Sequence, residues 1–206
     1  MTARRIVVIQ GHPDASRHHL CHALAQAYAL GAQEGGHAVR QVDIAKLDFA
    51  LLRSQQEWDE GPVPPCLAQV QADIRWADHV VLLFPLWLGD MPALVKGFLE
   101  QVARPGFAFT RTPPSGGSSA AVDTAMHMRK GLVGRSARVV VTMGMPALVY
   151  RWYFRAHSVR SLERNILGFV GFAPVHRSLI GMVGQLGDQD ARRWLARMQA
   201  LGAAGS

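Results

Sequence analysis

The stretch DHVVLLFPLWLGDMP, residues 78–92, places a strand, an apolar loop and a helix start in succession. Asp78–Phe84 is a short apolar run, the pattern of a strand buried on both faces. Pro92 stands where a helix is expected to begin, and a first turn tolerates proline. Ala93–Val102 is the predicted helix. Because buried strands followed by helices are typical of parallel sheets, this stretch favours an α/β fold.

The same alternation extends in both directions along the chain. Apolar or alternating runs predict further strands at Arg4–Gln10, His37–Asp43, Ala137–Met143 and Pro174–Ile180. Helical spacing predicts one helix from Leu20 up to the Gly35-Gly36 pair, and others at Leu67–Trp76, Tyr150–Leu167 and Asp188–Leu201. Polar or Pro/Gly-rich stretches predict surface loops over Gln55–Pro65 and Pro105–Lys130. With no linker visible, the sequence predicts one domain over residues 1–206 with a parallel, doubly wound sheet.

The composition of the chain limits the compartment and the kinds of ligand that are expected. The longest apolar run, Val80–Leu88, is too short to span a bilayer, and no signal peptide is visible, so a cytoplasmic protein is expected. Cys21 and Cys66 have no metal-like spacing and are expected to be free thiols. The 22 Lys and Arg against 15 Asp and Glu give a formal net charge of +7. That charge suits nucleic acid, an anionic membrane or small anionic ligands, but no nucleic-acid-binding motif is present.

The first predicted strand ends in the segment GHPDAS, residues 11–16. Ligands of open parallel sheets bind beyond the carboxyl ends of the strands, so this loop is a candidate site. It lacks the glycine-rich dinucleotide and Walker motifs. The Ser16 hydroxyl and the amides at the start of the helix nevertheless favour an anion site, which Arg17 and nearby imidazoles would reinforce.

Two alternatives remain open for this loop. Ser16 can act only as a helix N-cap, with solvated histidines. A metal site is the other, since His18 and His22 have i, i+4 spacing close to His12 and His19. No carboxylate or cysteine partner is evident for such a site, and no metal is predicted.

Two further strand ends offer candidate walls for a ligand. The segment after the third strand, FPLWLGDMP at residues 84–92, is apolar and aromatic where a loop should be exposed. A flat ring needs such a wall, although Trp87 can also simply fill the core. Thr142-Met143-Gly144 adds a hydroxyl and a glycine after the fourth strand, and can equally form a plain turn.

Taken together, these segments resemble the NAD(P)H:quinone oxidoreductases of the flavodoxin superfamily. The matching stretches, in family order, are GHPDAS at 11–16, FPLWLGDMPALVKGFLEQV at 84–102, PGFAF at 105–109, VVVTMG at 139–144 and, more weakly, GDQDARRWL at 187–195. The resemblance implies a flavodoxin-like three-layer sandwich whose five-stranded parallel sheet has the order 2-1-3-4-5. It also implies a homodimer that passes hydride from NADH or NADPH through flavin N5 to a quinone by a ping-pong mechanism.

The resemblance also assigns roles to individual residues. The flavin phosphates would be held by His12, Ser16, His18 and His19. The isoalloxazine ring would be bordered by Pro85, Leu86, Trp87, Leu88 and Gly89, and its pyrimidine side would be touched by Thr142, Met143 and Gly144. Arg192 would reach an adenine-side phosphate or ribose, which favours FAD over the alternative FMN. The positive charge of the chain favours NADPH over NADH.

Catalytic roles are implied for a tyrosine and a histidine after the third loop. Tyr150 and His157 are the candidates that would stabilise negative charge on the reduced flavin. Tyr153 is a rival because the spacing differs from the family pattern, and Tyr150 can instead pack within a helix.

The basic and aromatic run Arg151–Arg155 suggests a contact surface. A dimer contact is the favoured interpretation, with a membrane surface, a nucleic-acid surface or the NADPH 2′-phosphate as alternatives. Some members of the family attach to potassium efflux systems. A regulatory subunit with ancillary quinone reductase activity, docked on a membrane transporter, is therefore the alternative function.

Overall fold

A computed structural model describes residues 2–16, 18–111 and 128–206. Its strands are β1 (Arg5–Gln10), β2 (Ala38–Asp43), β3 (His79–Pro85), β4 (Phe109–Arg111), β5 (Met128–Lys130), β6 (Ser136–Thr142) and β7 (Val175–Ile180). Five of them form one parallel sheet in the order β2-β1-β3-β6-β7, while β4 and β5 pair separately as an antiparallel ribbon. The predicted strand order 2-1-3-4-5 is therefore confirmed.

Helices cover both faces of this sheet. They are α1 (Leu20–Glu34), α2 (Gln55–Glu60), α3 (Pro65–Trp76), α4 (Ala93–Val102), α5 (Ala147–Trp152), α6 (His157–Ser161), α7 (Gly168–Val170) and α8 (Asp188–Ala203). A π-helical segment, Leu162–Leu167, joins α6 to α7, and 3-10 turns occupy Ile44–Lys46 and Val183–Gln185. None of the helices in the described ranges is long and apolar enough to cross a membrane.

Successive residues of β1 point to opposite sides of the sheet, as the pleat requires. Val7 and Ile9 enter the core beneath α3 and α4, whereas Ile6 and Val8 enter the core beneath α1 and α8. On that second side α1 and α8 touch through glycine: a Cβ on Gly202 would lie 2.1 Å from the carbonyl oxygen of Tyr28. The result is the three-layer arrangement expected from the sequence.

The loop predicted over Gln55–Pro65 is partly wrong, because α2 forms there. The Ser54 hydroxyl accepts a hydrogen bond from the Glu57 N–H at 3.1 Å, which caps the helix. Serine followed three residues later by glutamate is a recognisable helix-start signal, and the lack of apolar periodicity concealed it.

Two other expectations also need correction. The segment Pro105–Lys130 contains strands β4 and β5 at its ends, and residues 112–127 lie outside the described residues. The mostly helical segment predicted over Tyr150–Leu167 is helical over most of its length but contains a break between α5 and α6. There, Arg155 and Ala156 adopt left-handed backbone conformations, with φ of 53° and 48°. Neither residue type signals such a conformation, so the break is not legible in the sequence.

Candidate functional site

The carboxyl ends of β1, β3, β6 and β7 meet around a cavity of about 700 Å³. Its described lining consists of short segments that follow these strands together with the start of α1, namely His12, Asp14, His19, Leu20, Cys21, Pro85, Leu86, Trp87, Thr142, Met143, Gly144, Val183 and Gly184. Open parallel sheets bind ligands at this kind of position.

The loop after β1 is held against β3 by a close backbone contact. The Gly11 N–H donates to the Leu83 carbonyl at 2.7 Å. A Cβ on Gly11 would lie 2.9 Å from that oxygen and equally close to Val95 Cγ2, so only glycine permits this approach. The next amide, His12 N–H, donates to Gln10 Oε1 at 2.5 Å. These contacts fix the position of the backbone at Gly11 and His12, where the loop reaches the cavity.

Asp14 organises the rest of this loop. Its Oδ1 accepts a hydrogen bond from the Ser16 N–H at 2.8 Å, and its Oδ2 lies 2.9 Å from His19 Nε2. The Ser16 hydroxyl also donates to Asp14 Oδ1. Since α1 begins at Leu20 with His19 as its N-cap, the alternative that Ser16 caps this helix does not apply.

Histidine rings form a stack beside the amino end of α1, here called the histidine cluster (His12, His19 and His22). The ring centroids of His12 and His19 are 3.8 Å apart and nearly parallel, and those of His12 and His22 are 5.3 Å apart. Burial, followed by the proximity of the other imidazoles, lowers the pKa of His12. Burial is also the main reason that the pKa of His22 is lowered. Face-to-face stacking does not converge the nitrogens on one point, and no metal-holding group of His, Cys, Asp or Glu occurs among the described residues.

The loop after β3 is a tight turn. Trp87 and Asp90 exchange backbone hydrogen bonds of 2.8 and 3.0 Å, while Leu88 and Gly89 between them adopt left-handed conformations. The Trp87 side chain is 49% exposed and meets the His12 ring edge-on, with 6.0 Å between centroids. Trp87 thus forms a wall of the cavity and does not fill the core.

The loops after β6 and β7 are joined by backbone hydrogen bonds. The Val183 N–H donates to the Met143 carbonyl at 3.1 Å, which holds the two loops side by side. A Cβ placed on Gly144 or Gly184 would meet nothing within 4 Å, so this side of the cavity is open. Cys21 belongs to the same lining but is almost fully buried, and burial raises the pKa of its thiol to about 12, which leaves it unreactive.

The structure brings most of the predicted cofactor-binding residues together. The described lining contains His12, His19, Pro85, Leu86, Trp87, Thr142, Met143 and Gly144. It does not include Ser16 and His18, which are exposed on the first loop, or Leu88 and Gly89, which form the tip of the turn after β3. Arg192 is exposed on α8 and is likewise absent from this lining.

The predicted catalytic pair lies away from the described lining. Tyr150 is only 2% exposed, and its phenol oxygen lies 2.6 Å from Ser158 Oγ and accepts from the Val159 N–H at 3.3 Å. These contacts join α5 to α6 across the left-handed break. His157 is exposed at the start of α6, and the rival Tyr153 is 79% exposed. Charge stabilisation by Tyr150 and His157 stays a prediction.

Sequence reasoning missed part of the lining. Asp14 was passed over, although an aspartate two residues before a serine is a known turn signal. Val183 and Gly184 were also missed, although they follow β7, and the rule that named the other strand ends applies equally to this one.

A second cavity of about 590 Å³ lies between α2, α4 and the π-helical segment. Its walls are mainly apolar and include Trp58, Leu99, Phe109 and Phe169, with the Lys96–Glu100 ion pair in its lining. No part of this cavity was predicted as a site.

Comparison with known proteins supports the fold assignment. A ribosyldihydronicotinamide dehydrogenase-like protein of Penicillium crustosum is 28% identical over 162 residues, covering 68% of this chain and 57% of that protein. An FMN-dependent NADH:quinone oxidoreductase of Bordetella petrii is 31% identical over 121 residues, covering 58% and 51%. The chain thus spans about half the length of the curated relatives it matches.

A solved structure and a family model agree with these relatives. The NAD(P)H:quinone oxidoreductase of Methanothermobacter marburgensis superposes over 100% of both chains with a TM-score of 0.78 at 21% identity, which shows a shared fold. The model described as flavodoxin-like fold matches residues 4–201, nearly the whole chain. The chain therefore belongs to the flavodoxin-like fold family.

Proposed function

We propose that this chain is a flavin-dependent NAD(P)H oxidoreductase that reduces a quinone-like acceptor. The observation that carries the proposal is the meeting of the loops after β1, β3 and β6 on one cavity beside the amino end of α1. The relatives named as NAD(P)H or NADH oxidoreductases support it.

The residues present fit a flavin. The cavity of about 700 Å³ falls within the range of cofactor sites, and a helix amino end favours the phosphate. The phosphate end would be held by His12, Ser16, His18 and His19. The ring would be bordered by Pro85, Leu86, Trp87, Leu88 and Gly89 on one side and by Thr142, Met143 and Gly144 on the other.

FMN is the better proposal for the flavin, with FAD as the alternative. The expectation of FAD depended on Arg192, which is exposed on α8 and absent from the described cavity lining. The relative from Bordetella petrii is described as FMN-dependent. The phosphate groups of either flavin would occupy the loop after β1.

In the proposed mechanism the chain positions its substrates. A flavin held in the cavity would supply two-electron chemistry, namely hydride transfer at N5 between the nicotinamide and the acceptor. Trp87 and Met143 offer apolar contacts to flat rings, so nicotinamide and quinone would stack at the same place in turn. Such alternation gives ping-pong kinetics. Tyr150 and His157 keep their predicted role of donating hydrogen bonds to the reduced ring.

The protein is also proposed to be a homodimer. Trp152 and Tyr153 on and after α5 are 72% and 79% exposed, next to Leu148 at 68%. Adjacent exposed apolar side chains of this size are typical of protein interfaces. Sedimentation of the purified protein tests this, and a monomer at micromolar concentration contradicts it. No observation on the described residues favours a transporter-bound regulatory subunit, which is not proposed.

Absorbance spectroscopy of the purified protein tests the flavin. We expect a yellow protein whose released cofactor is FMN, and which oxidises NADH or NADPH when a quinone is added. Preference between the two nicotinamides is read from kcat/KM for each. A colourless protein that binds neither FMN nor FAD contradicts the proposal.

A further inference from the structure

The histidine cluster has a hydrogen-bond pattern that an anion would displace. The Asp14 N–H donates to Nδ1 of His12 at 3.2 Å, and the His19 N–H donates to Nδ1 of His22 at 3.2 Å. Both are long hydrogen bonds, at the weak end of the usual range. Two imidazoles therefore occupy backbone donors, one in the loop after β1 and one at the start of α1, and helix amino ends bind anions in other proteins.

These bonds fix the protonation state of the cluster. An imidazole that accepts through Nδ1 is neutral, with its proton on Nε2. His12 and His22 thus gain a proton at Nδ1 only when the backbone amides leave them. The lowered pKa of each ring agrees with this neutral state, since burial and the neighbouring imidazoles disfavour a charge.

Few other charges among the described residues surround the cluster. His12 faces His19, His22 and Asp14. His22 faces Asp43 at the end of β2, with His18, His19 and Asp14 also near. Asp43 is itself paired with Lys46, Nζ to Oδ2 at 3.1 Å, and Asp14 with His19. Both carboxylates near the cluster already have partners, so a proton added to His12 or His22 is best stabilised by a new anion.

Provided that the proposed flavin function holds, we propose that the histidine cluster couples binding of the flavin phosphate to proton uptake. The phosphate oxygens accept hydrogen bonds from the Asp14 and His19 N–H groups. These two N–H groups no longer donate to the imidazoles of His12 and His22. The released Nδ1 atoms then take a proton from solvent, and the resulting imidazolium pairs with the phosphate dianion. The ring centroids of His12 and His22 are only 5.3 Å apart, which disfavours a second cation, so uptake is close to one proton.

Isothermal titration calorimetry of the apoprotein tests this inference. FMN and riboflavin are titrated at pH 7.5 in buffers of different ionisation enthalpy, where the phosphate is already a dianion because its second pKa is about 6. We expect uptake of roughly half to one proton with FMN and none with riboflavin. Between pH 7 and pH 9 the FMN Kd is expected to rise about tenfold, because the bound state holds the extra proton.

His22→Asn is the matched variant. Asparagine still offers an oxygen to the His19 amide but cannot be protonated, so we expect smaller proton uptake and a flatter pH profile. His176→Asn on β7, which is exposed and lies outside the described cavity lining, is expected to keep the full uptake. NMR titration of the His12 and His22 side chains provides a second measurement, with higher pKa values expected in the FMN complex.

The outcomes are distinguishable. Tight FMN binding without proton uptake, or equal uptake with riboflavin, overturns the inference and leaves the proposed function intact. Unchanged uptake in His22→Asn together with unshifted histidine pKa values also overturns it. Failure to bind either FMN or FAD at any pH overturns the proposed function and the inference with it.

Discussion

Histidines lie at both edges of the sheet, in opposite surroundings. At the carboxyl edge the histidine cluster borders a cavity, and two of its rings accept long hydrogen bonds from backbone amides. At the amino edge His79 is 0% exposed, and its Nδ1 lies 2.7 Å from Ser136 Oγ. Arg4 donates to the same hydroxyl at 3.0 Å, and the Tyr28 ring stacks on the imidazole.

The difference shows what burial does to the same side chain. At the amino edge, burial first and then the positive charges of Arg4, Arg138 and His176 lower the pKa of His79 to about 3, so it is neutral in the folded protein. At the carboxyl edge burial also lowers the pKa of His12 and His22, but these rings lie beside a cavity and can respond to a ligand. The amino edge is therefore expected to govern stability, and the carboxyl edge binding.

The largest expected effect is a loss of stability in acid, caused by His79 at the amino edge of the sheet. In the unfolded chain His79 titrates near 6.5, but in the folded protein its pKa is about 3. Below pH 6.5 the unfolded state binds the proton first, so stability falls as the pH falls. Between pH 7 and pH 5 the free energy of unfolding is expected to drop by about 2 kcal/mol from this residue. Urea denaturation at each pH measures it.

His79→Gln is the control for this titration. Glutamine retains a polar contact for Ser136 but carries no titratable group, so the variant should lose less stability between pH 7 and pH 5. Equal slopes in the two proteins would remove His79 as the cause. The difference between the slopes is more informative than either absolute stability, because the substitution itself changes packing.

At the carboxyl edge, a larger side chain placed in the cavity tests whether this edge governs binding. Gly144 has open space where a Cβ would stand, and its φ lies outside the left-handed region, so valine is compatible with the fold. Gly144→Val should weaken FMN binding at least tenfold, about 1.4 kcal/mol, by occupying the proposed ring site. Fluorescence titration gives the Kd, and Tm should stay within about 2 °C of the parent. If the variant folds and binds FMN with unchanged affinity, the flavin ring does not lie beside Gly144.

Tyr150 was predicted to contact the reduced flavin, but its phenol is buried and bonded to other parts of the chain. It follows the loop after β6, yet its phenol is buried and bonded within the protein, like His79. Tyr150→Phe leaves the Val159 N–H without this acceptor and should lower the free energy of unfolding by about 1 kcal/mol. Urea denaturation measures that cost, while kcat on the same variant tests the predicted catalytic role. Full stability with reduced kcat would favour catalysis over tethering.

The sequence predicted the sheet well because its information is local. Each central strand is a short apolar run, and a run such as Val80–Phe84 has few alternatives to a buried strand. The strand-end rule then located the loops around the cavity. Pro92 indicated where the helix starts, because proline is tolerated in the first turn of a helix.

The contacts within the site depend on distant parts of the chain and were not predictable. Nothing in the spacing of His12, His19 and His22 indicates that their rings stack, since the angle between loop and helix decides it. The burial of Tyr150 depends on a left-handed break at Arg155 and Ala156, residue types that seldom adopt that conformation. Hydrogen bonds between residues on the two sides of such a break can be identified only from the three-dimensional structure.

The smallest expected effect tests whether charge contributes to the lowered pKa of His79. His176 is exposed on β7, and its positive charge lowers that pKa after burial and the two arginines have done so. His176→Gln removes the charge, so the pKa of His79 should rise slightly toward 6.5. The acid-induced loss of stability should then shrink by a few tenths of a kcal/mol in a titration extended below about pH 3, where the folded state also binds the proton, since a solvent-exposed charge acts through water. NMR titration of the His79 ring measures the shift directly. If the ring titrates identically in both proteins, burial and the arginines alone keep His79 neutral, and the amino edge does not respond to charges on its surface.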